Sequence, residues 1–326
     1  MNAAALSHGG FWAAPGKFIS VRLDGLLEHS RVDRGIFALA ERSARTAMVL
    51  AGWRTRLRQR LAGTPPPAEL VHLFPHAPQP QLRRWARAMA ANDAKNRILC
   101  RLVRYHGVSR IYPLLRVRDN ARLRDLAAAG SPAILVFAHT GAAYGVAAGL
   151  GMMGVRSLLL TRGDKAVSFP PIIEAWHVQS HEQPILFLKR AADFLGHGGC
   201  VMMALDGTEG GSFANLDILG RSVRFPRGIQ VLRKLASVPV IPVGAPWAPG
   251  GRIDFVTYPP LVTTAGTAGT DEDVMHRAVR WLETQIVRDP RQLRSQYLGQ
   301  FVNAPHSDAA GSAAISNRSA QPPPRS

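Results

Sequence analysis

One histidine stands where the sequence could support acid–base chemistry. His139 lies in FAHTGAAYG (137–145), at the end of the apolar run AILVFA (133–138). The run predicts a buried strand, and the small residues after it predict the start of a helix. A side chain at the carboxyl end of such a strand faces the crevice in which open α/β sheets bind ligands. His139 is therefore a candidate general base, and the backbone N–H groups of 140–142 are candidate oxyanion donors. The alternative is a histidine that only caps a turn.

Other reactive patterns in the sequence are incomplete. His177 and His181 have the i, i+4 spacing of metal ligands on a helix, but no third ligand accompanies them and no His-Glu-x-x-His motif is present. The sequence also lacks a Gly-x-Ser-x-Gly elbow, a Walker A loop and a Gly-x-Gly-x-x-Gly turn directly after a strand. It thus lacks the defining residues of serine hydrolases, P-loop enzymes and dinucleotide-binding enzymes. We expect neither a metal nor a redox cofactor.

The elements that must position His139 form an alternating pattern. Strands are predicted at 133–138, 155–160, 200–206, 238–245 and 252–258, helices at 141–153, 170–178, 188–196, 225–236 and 271–288, and a hairpin at 216–225. Upstream, helices are predicted at 34–61, 79–105 and 119–129. This order predicts an α/β fold, with a mostly parallel central sheet covered by helices and an N-terminal helical extension.

The domain organisation follows from the composition. We expect a poorly ordered N-terminus (1–20), a helical extension that packs on the core (21–130), an α/β core (131–302) and a disordered tail rich in Ala, Ser, Asn and Pro (303–326). The N-terminus lacks the basic start and apolar core of a signal peptide. Residues 133–155 carry no charge, but His139 and several glycines favour a strand followed by a helix over a membrane span. The two cysteines, Cys100 and Cys200, lie in apolar runs and are predicted to be buried thiols.

The chain is strongly basic. Its 40 Lys and Arg residues, nearly all Arg, outnumber 22 Asp and Glu residues and give a net charge of +18. Such an excess favours anionic partners, namely phospholipid headgroups, nucleic acid or phosphorylated substrates and carriers. The Arg-rich helix at 34–61 is predicted to be attracted to an anionic membrane surface. We do not expect nucleic-acid binding, because the basic runs lack interleaved aromatic residues and any recognised binding motif.

Four blocks of the sequence together resemble a known superfamily. They are the strand that leads into His139, LLLTRGD (158–164), FLKRAADFLGHGGCVMMALDG (187–207) and RFPRGIQVLRKLASVPVIPVGAP (224–246). In this order they resemble the lysophospholipid acyltransferase superfamily, and within it most closely the bacterial lipid A late acyltransferases, which transfer lauroyl and myristoyl chains. The likeness covers roughly residues 80–300 and extends to IVRDPRQLRSQYL (286–298).

The resemblance assigns roles to residues and also shows a departure. His139 matches the histidine of the family's His-x4-Asp/Glu motif, but the position of the acid holds Tyr144. In the family this carboxylate orients the imidazole and stabilises its protonated form. The candidate replacements are Asp206, Glu209, Asp164 and Glu174. We favour Asp206, which ends a predicted strand at the edge where His139 lies, and Glu209, which follows in the loop DGTEGG (206–211).

The resemblance also indicates residues that would contact substrate. They are Gly141 in the proposed oxyanion segment, Tyr144, and three arginines suited to phosphate or to the headgroup of the acyl donor, Arg162, Arg190 and Arg224. Arg227 flanks the same predicted helix start as Arg224. For the arginines, solvated surface is the alternative in so arginine-rich a chain. For Tyr144, the alternative is packing against the sheet.

The function implied is transfer of a fatty acyl chain from a thioester, on acyl carrier protein or coenzyme A, to a hydroxyl of a lipid or glycolipid. The resemblance implies peripheral attachment to the cytoplasmic face of a bacterial inner membrane. His139 would deprotonate the acceptor hydroxyl. Tyr144 favours a second possibility, a non-catalytic relative that binds lipid or acyl carrier protein.

Overall fold

The computed structural model describes residues 35–36, 39–40, 42–118, 120–162, 167–178, 184–207, 212–263 and 271–302. The expectations for 1–20 and 303–326 fall outside these residues. The helices are α1 (Ala44–Leu61), α2 (Ala68–Leu73), α3 (Gln79–His106), α4 (Ala121–Ala129), α5 (Gly145–Met152), α6 (Pro184–Gly196), α7 (Gly228–Ala236), α8 (Asp271–Arg288) and α9 (Ser295–Val302). The strands are β1 (Leu115–Arg118), β2 (Ala133–Phe137), β3 (Ser157–Arg162), β4 (Ile173–Val178), β5 (Cys200–Ala204), β6 (Phe213–Ile218), β7 (Arg221–Pro226), β8 (Val240–Gly244), β9 (Trp247–Ala248) and β10 (Arg252–Thr257).

The central sheet is mostly parallel, as the alternating pattern predicts. Its strand order is β1-β10-β8-β2-β5-β3-β4, and the short strand β9 pairs with β10. All neighbours along this order are parallel except β10 and β8, and β9 is also antiparallel to β10. The α/β fold with a central sheet, flanking helices and an N-terminal helical region is therefore confirmed. Strand β1 lies within the segment expected to be helical and forms the edge of the sheet.

Side chains that alternate along β2 build a core on each face of the sheet. Ala133 and Leu135 pack on one face with buried residues of α1, α3, α4 and α5. Ile134 and Val136 pack on the other face with buried residues of α2 and α6–α9. A strand covered on both faces is apolar throughout because successive side chains point to opposite sides. Strand β2 is thus fixed from both sides directly before His139.

One predicted element is wrong and others are refined. Residues 170–178, predicted as a helix, form strand β4 from Ile173 onward, which pairs with β3 along its whole length. The run Ile-Glu-Ala-Trp-His-Val contains three residues that favour strands, namely Ile173, Trp176 and Val178. The hairpin at 216–225 is confirmed as β6 and β7. Its turn residues Leu219 and Gly220 both have positive φ, as a tight two-residue hairpin turn requires.

The sequence pattern does not predict α9, which follows a short 3-10 turn at Pro290–Gln292. It buries Leu298 and Phe301 against the sheet face that carries α8. Its eight residues are too few for a clear helical period in sequence. Among the described residues, no helix combines the length and apolarity needed to cross a bilayer.

Candidate active site

The ends of two neighbouring strands bring His139 and Asp206 together. Strands β2 and β5 are parallel, with Phe137 opposite Ala204. The pairing continues one step further, because Leu205 N–H donates to the Phe137 carbonyl at 2.8 Å. His139 and Asp206 each follow their strand by two residues. They therefore meet at the carboxyl edge of the sheet, where the sequence places them.

Asp206 holds both the backbone and the ring of His139. Its two carboxylate oxygens accept the His139 backbone N–H at 3.0 and 2.8 Å, and Oδ1 lies 2.9 Å from His139 Nδ1. The Asp206 side chain is 3% exposed, whereas that of His139 is 31% exposed. A carboxylate can only accept hydrogen bonds, so the proton of the neutral ring is on Nδ1 and Nε2 carries the lone pair. This is the arrangement of a general base oriented by an acid.

Two aromatic rings pack against the His139 imidazole. Tyr297 of α9 stacks on it with ring centroids 4.7 Å apart and an interplanar angle of 19°. Phe137 meets it edge-on at 5.8 Å. Burial raises the pKa of the Tyr297 phenol above its usual range, so this ring is neutral at physiological pH. Together with Asp206, these rings fix the plane of the imidazole.

Helix α9, which carries Tyr297, is attached to α3 by polar side chains. Asp93 accepts the backbone N–H of Ser295 at 3.2 Å and also its hydroxyl. Burial raises the pKa of Asp93, while Ser295 and nearby arginines oppose this shift. Asn92 donates to the Arg291 carbonyl at 2.8 Å. Asp93 thus serves as the N-terminal cap of α9, although it belongs to a different helix.

The segment after His139 is held by a buried asparagine. Asn96, 1% exposed, donates through Nδ2 to the Gly141 carbonyl and accepts the Ala143 N–H through Oδ1, both at 2.9 Å. Gly141 N–H donates to the Gln292 carbonyl and Ala142 N–H to the Ala245 carbonyl, each at 2.8 Å. The backbone between His139 and α5 is therefore fixed by α3, by the residue after β8 and by the 3-10 turn before α9.

These hydrogen bonds correct the expected oxyanion site. The N–H groups of Gly141 and Ala142 are engaged by carbonyls of the protein and are not free to bind a substrate oxygen. Gly141 has φ +71°, and a Cβ there would lie 2.4 Å from the Ala245 carbonyl oxygen. The close approach to Ala245 requires a glycine here, and the Gly141 N–H is not available as an oxyanion donor. Sequence alone could not show this, because the acceptors lie more than a hundred residues away.

Tyr144 does not take the place of an acid. It caps α5 with φ +60°, and its ring packs against Phe169 with centroids 6.3 Å apart. Burial raises the pKa of its phenol, so the side chain is neutral near pH 7. The partner of the His139 ring is instead Asp206, the first of the candidate replacements. Glu174, another candidate, lies on the edge strand β4 and pairs with Arg190 of α6.

The three expected phosphate-binding arginines do not converge within the described residues. Arg162 is the last residue of β3 and, by the register of the sheet, is level with Ala138, so its backbone lies at the same carboxyl edge as His139. Its side chain is outside the described residues. Arg190 stacks over Trp176 at 4.4 Å and pairs with Glu174. Glu174 aligns with Ile134, five residues before His139, or about 16 Å along the strands. Arg224 is exposed on β7, with its guanidinium 4.6 Å from the Phe213 ring centre.

Several other expectations fall outside what is described. Glu209, Asp164 and His181 lie there, as does the side chain of His177. Arg227 is exposed directly before α7. Within the described part of the chain, no group of three or more His, Cys, Asp or Glu residues is arranged to hold a metal ion.

A polar cavity of about 470 Å³ lies behind the start of α9. It is lined by residues of α1 and α3 and by Ser295, among them Arg58, Arg97 and Asp93. Two of its lining residues, Asp93 and Ser295, also form the cap of the helix that presents Tyr297. The cavity therefore adjoins the elements that support the His139 ring.

Sequence reasoning missed three residues that support the site: Asn96, Asp93 and Tyr297. The polar cluster Asn-Asp-Ala-Lys-Asn (92–96), between the apolar residues of the amphipathic helix α3, was the available signal, since buried polar side chains need partners. Tyr297 carried no such signal. No family model matches the chain, and no curated protein is significantly similar to it.

Proposed function

We propose that this protein is an O-acyltransferase, which transfers a fatty acyl chain from a thioester to a hydroxyl of a lipid or glycolipid. The observation that carries the proposal is the His139–Asp206 pair at the carboxyl edge of the sheet. His139 has a fixed tautomer, a part-exposed ring and a buried carboxylate behind it. These are the properties of a base that activates a hydroxyl.

The proposed reaction is a direct transfer. Nε2 of His139 takes the proton of the acceptor hydroxyl while its oxygen attacks the thioester carbonyl. Asp206 stabilises the imidazolium that forms. The tetrahedral intermediate then collapses, the C–S bond breaks, and the thiolate takes the proton from the imidazolium. The N–H groups of Gly141 and Ala142 are engaged, so we assign the oxyanion to other donors, with Thr140 N–H and Arg162 at the same edge as the candidates.

The charge of the chain supports the choice of partners. A net charge of +18 suits acidic acyl carrier protein or coenzyme A as the donor, and an anionic membrane as the place where the acceptor resides. We propose a peripheral position on the cytoplasmic face of a bacterial inner membrane. The reaction requires no metal or redox cofactor.

A binding protein without activity is the competing proposal. The support for a binding protein is Tyr144, which stands where the His-x4-Asp/Glu motif has its acid. That support weakens because Asp206 supplies a carboxylate to the ring from the neighbouring strand. The two proposals make different predictions for thioester turnover.

The test is turnover of dodecanoyl-coenzyme A and dodecanoyl-acyl carrier protein, with a detergent-dispersed lysophospholipid or a partly acylated glycolipid as acceptor. Released thiol and acylated lipid are measured together, so that hydrolysis and transfer are separated. We expect His139→Ala to lower transfer by about 10²–10⁴-fold, the usual contribution of a general base. The matched control is His76→Ala, at an exposed histidine in the turn between α2 and α3. Equal transfer by both variants would refute the proposal, and thioester binding without turnover by the wild type would favour the binding protein.

A further inference from the structure

Helix α1 exposes a row of large apolar side chains. Val49, Trp53, Leu57 and Leu61 recur every fourth residue and are 43%, 62%, 40% and 79% exposed. Residues four apart lie above one another on a helix, so these side chains form a single stripe. The stripe spans three turns, roughly 18 Å at 1.5 Å per residue.

The opposite face of α1 is the one that packs on the protein. Ala47, Met48, Ala51 and Gly52 are buried there, against the same core that contains residues of α3. A surface helix ordinarily places polar residues opposite its buried face. In α1 the outward face is apolar instead, so the helix has two apolar faces, of which the described residues cover only one. Exposed apolar groupings of this kind mark interaction surfaces.

Arginines border the stripe on both sides. At 100° per residue, Arg56 and Arg60 lie along one flank of the stripe, and Arg54 lies along the other. The helix sequence contains no acidic residue. Long arginine side chains lay their aliphatic stems along apolar surface while the guanidinium reaches polar surroundings. An apolar stripe with cations on both flanks is therefore complementary to one kind of surface, in which apolar chains lie beneath a layer of phosphates.

We propose that α1 is the surface with which the protein binds an anionic lipid bilayer, lying in the plane of the interface. The stripe from Val49 to Leu61 enters the acyl-chain boundary, and the flanking arginines bind the phosphates above it. This deepens the membrane location in the proposed function by assigning the contact to a helix face. It does not depend on acyl transfer. Binding that rested on charge alone would use the arginines and leave Trp53 in water.

The experiment uses the full-length protein and vesicles of phosphatidylglycerol with phosphatidylethanolamine, compared with phosphatidylcholine alone. The variant is Trp53→Ser with Leu57→Ser. The matched control is Leu235→Ser with Val287→Ser, at side chains that are 60% and 57% exposed on α7 and α8. Flotation measures partitioning, and the difference in emission between the wild type and Trp53→Phe reports the surroundings of Trp53.

We expect the stripe variant to lose at least about tenfold in partitioning onto anionic vesicles, while the control pair keeps the wild-type value. Trp53 emission should shift to shorter wavelength with anionic vesicles, and Arg56→Gln with Arg60→Gln should weaken both binding and its dependence on salt. Equal partitioning of the stripe and control variants would overturn the proposal. So would protection of Trp53 from aqueous quenchers before vesicles are added, because a protein segment or a second copy would then cover the stripe.

The design keeps failure of this proposal separate from failure of the proposed function. Acyl transfer to a detergent-dispersed acceptor should be unchanged in the stripe variant, because neither changed residue contacts the His139 site. Loss of vesicle binding with full transfer in detergent supports the membrane surface. Retained vesicle binding by the stripe variant overturns that surface, whatever the activity of His139→Ala.

Discussion

Asp206→Asn changes the fewest atoms while removing the proposed role of the acid. The amide has the size of the carboxylate, so the sheet edge remains filled. One carboxylate oxygen, however, becomes an NH₂ group. In the native site, Oδ1 contacts both His139 Nδ1 and the His139 backbone N–H, and Oδ2 accepts the same N–H at 2.8 Å. The amide therefore has two orientations, and each disturbs the site in a different way.

If the NH₂ group faces Nδ1, the ring must accept there and carry its proton on Nε2. It then has no lone pair at the nitrogen that serves as the base. If the amide oxygen stays at Nδ1, the NH₂ group meets the His139 backbone N–H, and two donors face each other. Either orientation loses one charge-assisted hydrogen bond, worth about 1.5–3 kcal/mol, and the charge that stabilises the imidazolium. The equivalent loss in a serine protease triad costs roughly 10⁴ in rate, so we expect a decrease of about 10²–10⁴-fold.

Two measurements check this result. Thioester turnover gives the rate, and ¹⁵N chemical shifts of the His139 ring show which nitrogen carries the proton. Asp217→Asn, at an exposed aspartate of β6, is the matched control and should change neither. If Asp206→Asn keeps both the native tautomer and more than a third of the turnover, the carboxylate does not orient the base, and our reasoning fails.

Three further variants test the surroundings of the site. Burial lowers the pKa of Lys95 from 10.5 to about 8, so the unfolded chain binds the extra proton between these values. Stability should therefore rise from pH 8 to pH 10.5 by at most about 3 kcal/mol, and Lys95→Met should flatten that rise in urea titrations. Gly141→Ala should cost at least about 1–3 kcal/mol by thermal melting, because the residue has a positive φ and its Cβ would collide with the Ala245 carbonyl. Tyr144→Glu should lower stability by about 1–3 kcal/mol and should not raise turnover, because it places a carboxylate in the half-buried position beside Phe169.

Much of the fold was predictable because its signals are local. The apolar run that forms β2 is long enough to indicate burial on both faces, and the strands and helices that alternate after it specify a parallel sheet. The failures have local causes as well. The sequence predicts a helix at 170–178, although three of the six residues at 173–178 favour strands, and β1 is only four residues long, two of them arginine. Strand β1 is stabilised by pairing with β10, a partner more than a hundred residues away.

In the candidate site too, features that follow from local sequence were predictable, and features that follow from tertiary packing were not. Asp206 was predictable, since the ends of parallel strands lie at one edge of the sheet. The engagement of the Gly141 and Ala142 N–H groups was not, because their acceptors follow from how β8 and the segment before α9 pack. Tyr297 stacks on His139 from α9, a helix that is capped by Asp93 of α3. Contacts that form only when several elements pack together produce no motif of fixed spacing in the sequence, so they cannot be predicted from it.

The position of the acid explains how Tyr144 is compatible with the proposed catalytic role of His139. An acid five residues after His139 would lie at the start of α5, and its orientation would depend on the turn between them. Asp206 comes instead from the strand beside β2, and it binds the backbone N–H of His139 as well as the ring. One buried carboxylate thereby fixes both the backbone and the side chain of the base. Position 144 instead packs against Phe169 with a left-handed backbone. The sheet, and not the helix after it, determines the geometry of this histidine.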